Sequence, residues 1–452
     1  MRSEERILAA ARRLLAQSPT TAVSEIAAAA GVSRSTLYRH FRDREALLGR
    51  LDARPEDGAV LPPEEPLPPG RLGRQRPVAL DAIHVFDAVP PAVLPQQLVA
   101  EAERIAAVPV ALYVLDIDGS RLLRMAGSER LGEELRAPLA IGPELDPEGI
   151  GRLRTTVATE HPGVETYALW LRGRAIGALF ALGRPREPLT EIARQAAAAI
   201  TLSDRYTDVF ARRQRRKQPR AAAEIQQSLL PPRIARVGGG EVAGNVLPSY
   251  EVAGDWFDVA ENEDGIWISL ADGLGGSTRA AASSAVALGA LRASRRSGGT
   301  PPEALMVMHQ TLREMPGPLA EMTALIARWD PLSRRLSTYT CGHVPALLIH
   351  GHGDEELLDG GRSHGLGGRS TPNPSERSSR LDPGERLVLV SDGVVGTDHG
   401  QAGLGEEDLR AAIREAQAGS AADTVRSIHA AVLAASGGEL GDDATAICLL
   451  AG

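Results

Sequence analysis

Six aspartates stand at tight turns or at the ends of apolar runs: Asp255, Asp258, Asp272, Asp392, Asp442 and Asp443. A single Asp at such a place is usually a turn former or a helix cap. Several carboxylates that converge from different parts of a fold supply the oxygen ligands that hard divalent cations prefer. Without cations such a cluster repels itself and favours protonation. Two cations could share a water, lower its pKa and direct it as hydroxide at a phosphorus centre.

Apolar runs and helical patterns alternate through residues 231–452, the region that holds the acids. Many short antiparallel strands combined with long helices predict an α+β layered fold, in which outer helices flank packed sheets. The acids would then lie at strand ends and turns. The predicted strands are residues 266–270, 323–329, 336–340, 346–350, 386–390 and 445–450, and the predicted helices are residues 279–293, 302–315, 407–417 and 421–435.

A helical connection over residues 206–230 leads into this region. Ile192, Ala199 and Tyr206 are seven residues apart, a weak heptad pattern that fits either a parallel dimer helix or a single helix packed on its own domain. Pro219 must end or kink the helix, because proline has no amide donor. A second short helix with an apolar face, from residue 221 to residue 230, would then enter the acid-bearing region and could transmit motion to it.

Bulk properties exclude several classes of protein. A chain of 452 residues predicts about three domains. No apolar run approaches the roughly 18 residues of a membrane helix, and the polar start indicates no signal peptide. Cys341 and Cys448 show neither metal spacing nor a disulfide framework, so we expect a cytoplasmic protein with no membrane partner. The net charge of −8 argues against polyanion binding by the whole chain, whereas residues 1–50 carry nine Arg against five acidic residues.

Residues 1–54 have the spacing of a helix-turn-helix, with a turn at Gly31 and a third helix that begins at Ser33. Side chains of base- and phosphate-contacting types on that helix are Ser33, Arg34, Ser35, Thr36, Tyr38, Arg39 and His40. The pattern Val23-x-x-Ile26-Ala27-x-x-Ala30-Gly31-Val32-Ser33-x-x-Thr36-Leu37-Tyr38-x-His40-Phe41 resembles the DNA-binding head of TetR-type regulators. The resemblance implies a DNA partner and a homodimer, because one head alone binds weakly. The alternative is a three-helix bundle for protein contact.

Prolines concentrated in residues 55–76 predict an extended linker. Residues 77–205 then read as a small α/β domain, with a helix, a hairpin that turns at residues 116–119, a second hairpin that turns at residues 172–174, and a helix from about Pro188. This order resembles a GAF domain, which implies a sensor of small molecules or a dimerisation module. His84 and His161 are isolated and are better explained as surface or satisfied histidines than as ligands.

The acidic motifs occur in an order that resembles the metal-dependent protein phosphatases (PPM), specifically the SpoIIE/RsbU-like branch of bacterial serine/threonine phosphatases. The matching motifs are Gly254-Asp255-x-x-Asp258, Asp272-Gly273-x-Gly275, Cys341-Gly342-His343-x-Pro345, Ser391-Asp392-Gly393-Val394 and Asp442-Asp443-x-Thr445. The resemblance implies that the catalytic metal ligands are Asp255, Asp272, Asp392 and Asp442, with the Gly273 carbonyl as a further ligand. Asp258 and Asp443 are auxiliary candidates. His343 is either a general acid or a residue that fixes a turn.

Some positions depart from the pattern of the family. Ala253 stands where a second Gly is common, Ser277 replaces a Gly after the second acidic motif, and Cys341 replaces Ala. None of these changes removes a predicted metal ligand.

The predicted fold is multidomain, with an all-α helix-turn-helix head, an α/β GAF-like domain and an α+β layered (αββα sandwich) phosphatase domain over residues 231–452. The resemblance implies a phosphoserine or phosphothreonine protein phosphatase with two manganese or magnesium ions. Its substrate would be a phosphorylated regulatory protein of an anti-sigma pathway, of the anti-anti-sigma type. The alternative is a DNA-binding transcriptional regulator whose phosphatase-like domain is a non-catalytic sensor or partner platform. Both functions could also occur together.

Overall fold

The structure is a computed structural model that describes residues 89–215, 220–248, 254–273, 278–351, 353–358, 363–396, 403–437 and 440–452, with Phe86 and seven residues between Ala10 and Gly31. The chain divides into two compact units, Met1–Arg74 and Gln75–Gly452. In the first unit, Ala10, Ala11 and Ile26 are buried helical residues. The predicted DNA-contacting side chains at positions 33–40, the linker at 55–76, His84 and Pro219 lie outside the described residues.

A five-stranded antiparallel sheet forms the middle domain, with the strand order β3-β2-β1-β5-β4. The central strand β1 is apolar and buried along its whole length, because helices cover both faces of the sheet. Helices α1 and α3 pack on one face, and α2 packs on the other. The elements are α1 Leu94–Ala106, β1 Val110–Leu115, β2 Arg121–Gly127, β3 Glu134–Arg136, α2 Pro147–Glu160, β4 Val164–Leu171, β5 Arg174–Leu182 and α3 Thr190–Ser203.

The connection after the middle domain differs from the predicted heptad helix. Helix α3 ends at Ser203, and the next helix, α4, spans Val209–Gln214. Tyr206 lies between them with 81% of its surface exposed, and Ile192 is buried in the core of the middle domain. Of the two interpretations, the helix packed on its own domain fits α3, because its apolar face is covered by the core of that domain. One continuous dimer helix through Tyr206 is not formed in the described residues. Helix α5, Ala221–Leu229, agrees with the predicted second helix.

Residues 234–452 form two antiparallel sheets. The inner-facing sides of both sheets meet in one large apolar core. The five-stranded sheet has the order β14-β11-β10-β9-β8, and the six-stranded sheet has the order β13-β12-β15-β16-β7-β6. The strands are β6 Ile234–Val237, β7 Gly240–Leu247, β8 Trp256–Asn262, β9 Gly265–Gly273, β10 Met322–Asp330, β11 Arg335–Cys341, β12 Ala346–Ile349, β13 Glu355–Leu357, β14 Glu376–Arg380, β15 Arg386–Val390 and β16 Ala444–Ala451.

Helices cover the outer face of each sheet. Helices α6 and α7 pack on the five-stranded sheet, while α9 and α10 pack on the six-stranded sheet. The resulting helix-sheet-sheet-helix order confirms the predicted αββα sandwich. None of the helices in the described part of the chain is long and apolar enough to cross a membrane. The helices of the sandwich are α6 Thr278–Arg296, α7 Pro301–Arg313, the short α8 Asp392–Val395, α9 Glu406–Glu415 and α10 Ala421–Ala435.

His429 on α10 is a buried ionisable group outside the predicted site. Its side chain is 7% exposed, and its Nε2 atom has no hydrogen-bond partner within the described residues. Burial lowers the pKa of His429 to about 4, although a hydrogen bond to the backbone of Ala444 opposes the shift. The imidazole is therefore neutral in the folded protein well below neutral pH.

We expect His429 to make the protein less stable in mild acid. An unfolded histidine titrates near pH 6.5, so between about pH 6.5 and 4 the unfolded chain binds a proton that the folded chain does not. The contribution of neutral His429 to the free energy of unfolding is fully present above pH 6.5. It falls by up to about 3 kcal/mol as the pH drops towards 4. The buried aspartates with raised pKa values gain stability over the same window, so the signed change is compared: from pH 7.5 to 4.5 the urea midpoint of His429→Gln should fall less, or rise more, than that of wild type. The exposed control His364→Gln should keep the wild-type pH dependence, and an unchanged dependence in His429→Gln would contradict the assignment.

Candidate active site

The first two acids face each other across neighbouring strands. Asp255 precedes β8, and Asp272 is the penultimate residue of β9. Trp256 pairs with Ala271 in the antiparallel register, which places the two aspartates side by side. Adjacent strands are about 4.8 Å apart, so both carboxyl groups occupy one small volume. Asp255 is 1% exposed and Asp272 is 7% exposed.

The other acids come from the end of the second sheet. Asp392 follows β15 and begins α8, while Asp442 and Asp443 precede β16. Strands β15 and β16 are paired, with Val390 opposite Ala446. A Cβ atom added to Gly393 would lie 2.1 Å from the Asp443 carbonyl oxygen. The glycine after Asp392 therefore allows the two acidic loops to approach closely.

Burial and mutual repulsion together raise the pKa of the acids at this site. Burial raises the pKa of Asp255 well above its usual value, and the neighbouring Asp272 and Asp443 raise it further. Burial also raises the pKa of Asp272 to about 8, with added repulsion from Asp392 and Asp442. The pKa of Asp442 is raised as well, again chiefly by burial. Such a group of carboxylates needs either protons or cations to offset its charge.

Hydroxyl groups from the second sheet hold the first acid. Thr445 Oγ1 donates a hydrogen bond to Asp255 Oδ2 at 2.6 Å. The Thr445 amide in turn donates to Ser391 Oγ at 2.9 Å, and the Ser391 hydroxyl donates to the Asp443 carbonyl at 3.2 Å. These bonds join the acidic ends of the two sheets, which explains why Ser391 and Thr445 accompany the acids in the sequence.

Gln226 on α5 is a site residue that the sequence analysis did not assign to the site. Its Nε2 atom donates to Asp443 Oδ2 at 2.5 Å and to the Asp255 carbonyl at 3.1 Å. Gln226 is 2% exposed and lies four residues after the buried Ala222, on the buried stripe of α5. A polar residue on the apolar stripe of the helix was the available signal, because a buried amide needs hydrogen-bond partners.

Asp258 lies in β8 and is paired with two arginines. Arg292 donates to its Oδ1 at 2.7 Å, and Arg295 donates to its Oδ2 at 2.8 Å. The carboxylate is 3% exposed, so these bonds tie β8 firmly to α6. Both carboxylate oxygens of Asp258 are thus occupied by arginines, and its auxiliary role at the site stays a prediction.

The remaining predicted site residues are placed as follows. Gly273 ends β9, and a Cβ atom added to Gly254 would lie 3.3 Å from its carbonyl oxygen, so the two loop backbones are close. His343 is exposed in the turn after β11, and its role as a general acid stays a prediction. Residues 274–277, including Ser277, are outside the described part of the chain.

The donor set can be tested for its fit to a metal. Within the described residues no group of three or more Asp, Glu, His or Cys side chains is arranged closely enough to hold a metal ion as the structure stands. The acids instead meet in pairs, Asp255 with Asp272 and Asp272 with Asp392. Two features fit a divalent cation: the donors are all oxygens, and the buried Asp392 Oδ1 has no hydrogen-bond partner in the part described. Asp255, Asp272, Asp392 and Asp442 are the side chains that could hold it.

Comparisons with known proteins agree with this interpretation. Residues 262–451 match the family model for stage II sporulation protein E (SpoIIE), and residues 7–51 match that for bacterial regulatory proteins of the tetR family. Phosphoserine phosphatase RsbU of Bacillus subtilis is 23% identical over 229 residues, which is 50% of this chain and 68% of RsbU. The transcriptional repressor LfrR of Mycolicibacterium smegmatis is 50% identical over 50 residues, which is 11% of this chain but only 26% of LfrR.

Solved phosphatase structures are also similar to the chain. The SiaA-PP2C domain of Pseudomonas aeruginosa is 22% identical, covers 50% of this chain and 93% of its own, and has a TM-score of 0.44. The PPM Ser-Thr phosphatase MsPP from Mycobacterium smegmatis is 20% identical, covers 48% of this chain and 100% of its own, and has a TM-score of 0.37. The chain is thus similar to stage II sporulation protein E over residues 262–451 and to regulators of the tetR family over residues 7–51.

Proposed function

We propose that this protein is a metal-dependent phosphoserine or phosphothreonine phosphatase that acts on a phosphorylated regulatory protein. The observation that carries the proposal is a set of mutually repelling aspartates from four separate segments, which lie near one another, largely buried, at the joined ends of two sheets. The similarity to phosphoserine phosphatase RsbU supports the substrate class, and an anti-anti-sigma type of protein is the expected substrate. The all-oxygen donor set supports manganese or magnesium.

The residues of the site have separate tasks in this mechanism. Asp255, Asp272, Asp392 and Asp442 would hold two divalent cations, with the Gly273 carbonyl as a further candidate ligand. When bound, the cations lower the pKa of a water and offset negative charge on the phosphoryl group. Thr445 orients the Asp255 carboxylate by hydrogen bonding, and Gln226 orients that of Asp443. The two arginines around Asp258 keep β8 in place under the site.

The tetR-family segment supports a second activity in the same chain. We propose that residues 1–54 bind DNA through Ser33, Arg34, Ser35, Thr36, Tyr38, Arg39 and His40, as a homodimer in the cytoplasm, where DNA is accessible. The middle domain would serve as a GAF-like sensor between the two activities. The alternative, a DNA-binding regulator with a non-catalytic phosphatase-like domain, is disfavoured because every predicted acidic ligand is present.

Removing one acid tests catalysis. We expect Asp392→Asn to lower kcat on a phosphoserine peptide with manganese by at least about 100-fold, since loss of a metal-ligand charge weakens stabilisation of the transition state. The exposed control Glu263→Gln should stay within about twofold of wild type. Equal rates for Asp392→Asn and wild type would refute the assigned site. An inactive wild type that still binds DNA would favour the alternative function.

Thermal unfolding tests whether the acids hold cations. At pH 8.5, above the raised pKa of Asp272 of about 8, Asp272→Asn should unfold at a higher temperature than wild type in EDTA, because the substitution removes a repelling charge. The same variant should lose most of the stabilisation that manganese gives to wild type, since ligands stabilise only the state that binds them. A full manganese effect in Asp272→Asn would contradict the role of Asp272 as a ligand.

Salt-dependent binding tests the DNA-binding head. We expect Arg34→Ala combined with Arg39→Ala to weaken binding to DNA selected from a random pool by at least about tenfold. The slope of log affinity against log salt should also become shallower, by about one for each DNA phosphate that the variant no longer neutralises. Arg296→Ala, an exposed arginine on α6, is the matched control and should bind like wild type. Wild-type affinity and salt slope in the double variant would show that Arg34 and Arg39 do not contact the DNA.

A further inference from the structure

A loop of the middle domain reaches into the phosphatase domain. This joint loop, residues 137–146, connects β3 to α2. Ile141 in the joint loop is 2% exposed, and it packs in the apolar cluster between the six-stranded sheet and helices α9 and α10. A side chain of the middle domain therefore completes part of the phosphatase core.

Glu144 forms the first polar contact of the joint loop. Its Oε1 pairs with Arg174 Nε of the middle domain at 2.9 Å, and its Oε2 accepts from the Ile234 amide of β6 at 2.8 Å. Glu144 and Arg174 are 6% and 8% exposed. A buried charge that loses its partner destabilises the protein, so Glu144 stays paired with Arg174. The same carboxylate then holds the first residue of β6 against the middle domain.

Asp146 forms the second contact, at the start of α10. Its Oδ1 caps α2 through the Gly149 amide at 2.8 Å. Its Oδ2 accepts from Arg426 at 3.0 Å and from the Ser420 hydroxyl at 3.2 Å. Arg426 also donates to the Leu139 carbonyl at 2.9 Å. The carboxylate is 2% exposed, and one side chain thus caps a helix in the middle domain while it binds a helix of the phosphatase domain.

A third contact leads from the joint loop towards Gln226. Gly142 has φ of +52°, and a Cβ atom there would lie 3.3 Å from Arg233 Cγ. Arg233 donates to Gln227 Oε1 at 2.8 Å, and its guanidinium lies 5.9 Å from the centroid of the Phe257 ring. Arg233 therefore touches the joint loop, helix α5 and strand β8 at once.

Strand β6 and helix α10, which the joint loop contacts, lie next to the segments that carry the acids. Strand β6 follows α5, whose Gln226 bonds to Asp443 and to the Asp255 backbone. Helix α10 precedes the turn with Asp442 and Asp443, and it packs against β16. A shift of the joint loop would thus reach the active site along two short routes, one on each side of Asp443.

We propose that the joint loop is the surface through which the middle domain controls the active site, an inference that rests on the proposed phosphatase function. The seated joint loop holds β6 and α10, and these elements hold Gln226 and the acidic turn before β16 in the arrangement that binds cations. A change in the middle domain that withdraws the joint loop loosens those groups and lowers activity.

Amide hydrogen exchange on the full-length chain tests this coupling. Asp146→Asn retains an oxygen that can cap α2 but removes the charge that pairs with Arg426. We expect amides in residues 221–229 and 440–451 to exchange about tenfold faster in this variant, since loss of a buried partner lowers the free energy of local opening. Arg426→Gln should speed the exchange of the same amides. The double variant should exchange little faster than either single variant, because both substitutions break the same pair between Asp146 and Arg426. If Arg426→Gln fails to fold, Arg426→Lys takes its place.

Glu148→Gln is the matched control, because Glu148 forms an exposed pair with Arg152 on the same helix and should leave exchange unchanged. Faster exchange confined to residues 137–150 and 420–426 would overturn the proposal, because the effect of the joint loop would then not extend to the active site. Exchange does not depend on turnover. An inactive wild type would therefore refute the phosphatase function while the exchange result still decides whether the domains are coupled.

Discussion

Burial of like charges is the constraint on which the rest of the structure depends. Asp255 and Asp443 are each 1% exposed, and Asp272 is 7% exposed, within one volume at the joined ends of two sheets. Burial, and then repulsion between neighbouring acids, raises the pKa of Asp255 and Asp272, so the fold must hold these groups in place at a cost in free energy. Thr445 and Gln226 supply donors to the acids, and the sandwich core fixes the strands that carry them. Divalent cations or protons must offset the remaining negative charge of the buried aspartates.

Much of the site was predictable because its local signals are strong. Acids beside glycine at the ends of apolar runs identified the residues that the fold brings together, and strands β9 to β12, β15 and β16 were found from their apolar runs. Strands β13 and β14 are short or mixed in polarity, so they gave no comparable pattern. The partners of Asp258, Arg292 and Arg295, were not predicted because they lie more than thirty residues away. Gln226 was overlooked because its partners belong to two other segments.

The middle domain and the phosphatase domain share more than a linker. The sequence suggested separate modules joined by helices 206–230, yet Ile141, Glu144 and Asp146 place middle-domain side chains in or against the phosphatase core. Such contacts link residues about 90 to 280 positions apart, and no local pattern in a single sequence reports them. The middle domain thus takes part in the packing of the neighbouring sandwich through these side chains.

The central claim is that the carboxylate cluster holds two divalent cations. Equilibrium dialysis of the full-length protein against manganese, with free ion read by electron paramagnetic resonance, counts the ions that bind to each chain. We predict about two ions per chain for wild type, because two cations are needed to share one water in this mechanism, and fewer for Asp392→Asn, whose buried Oδ1 is otherwise without a partner among the described residues. Equal binding by wild type and Asp392→Asn, or no binding by wild type, would contradict the account.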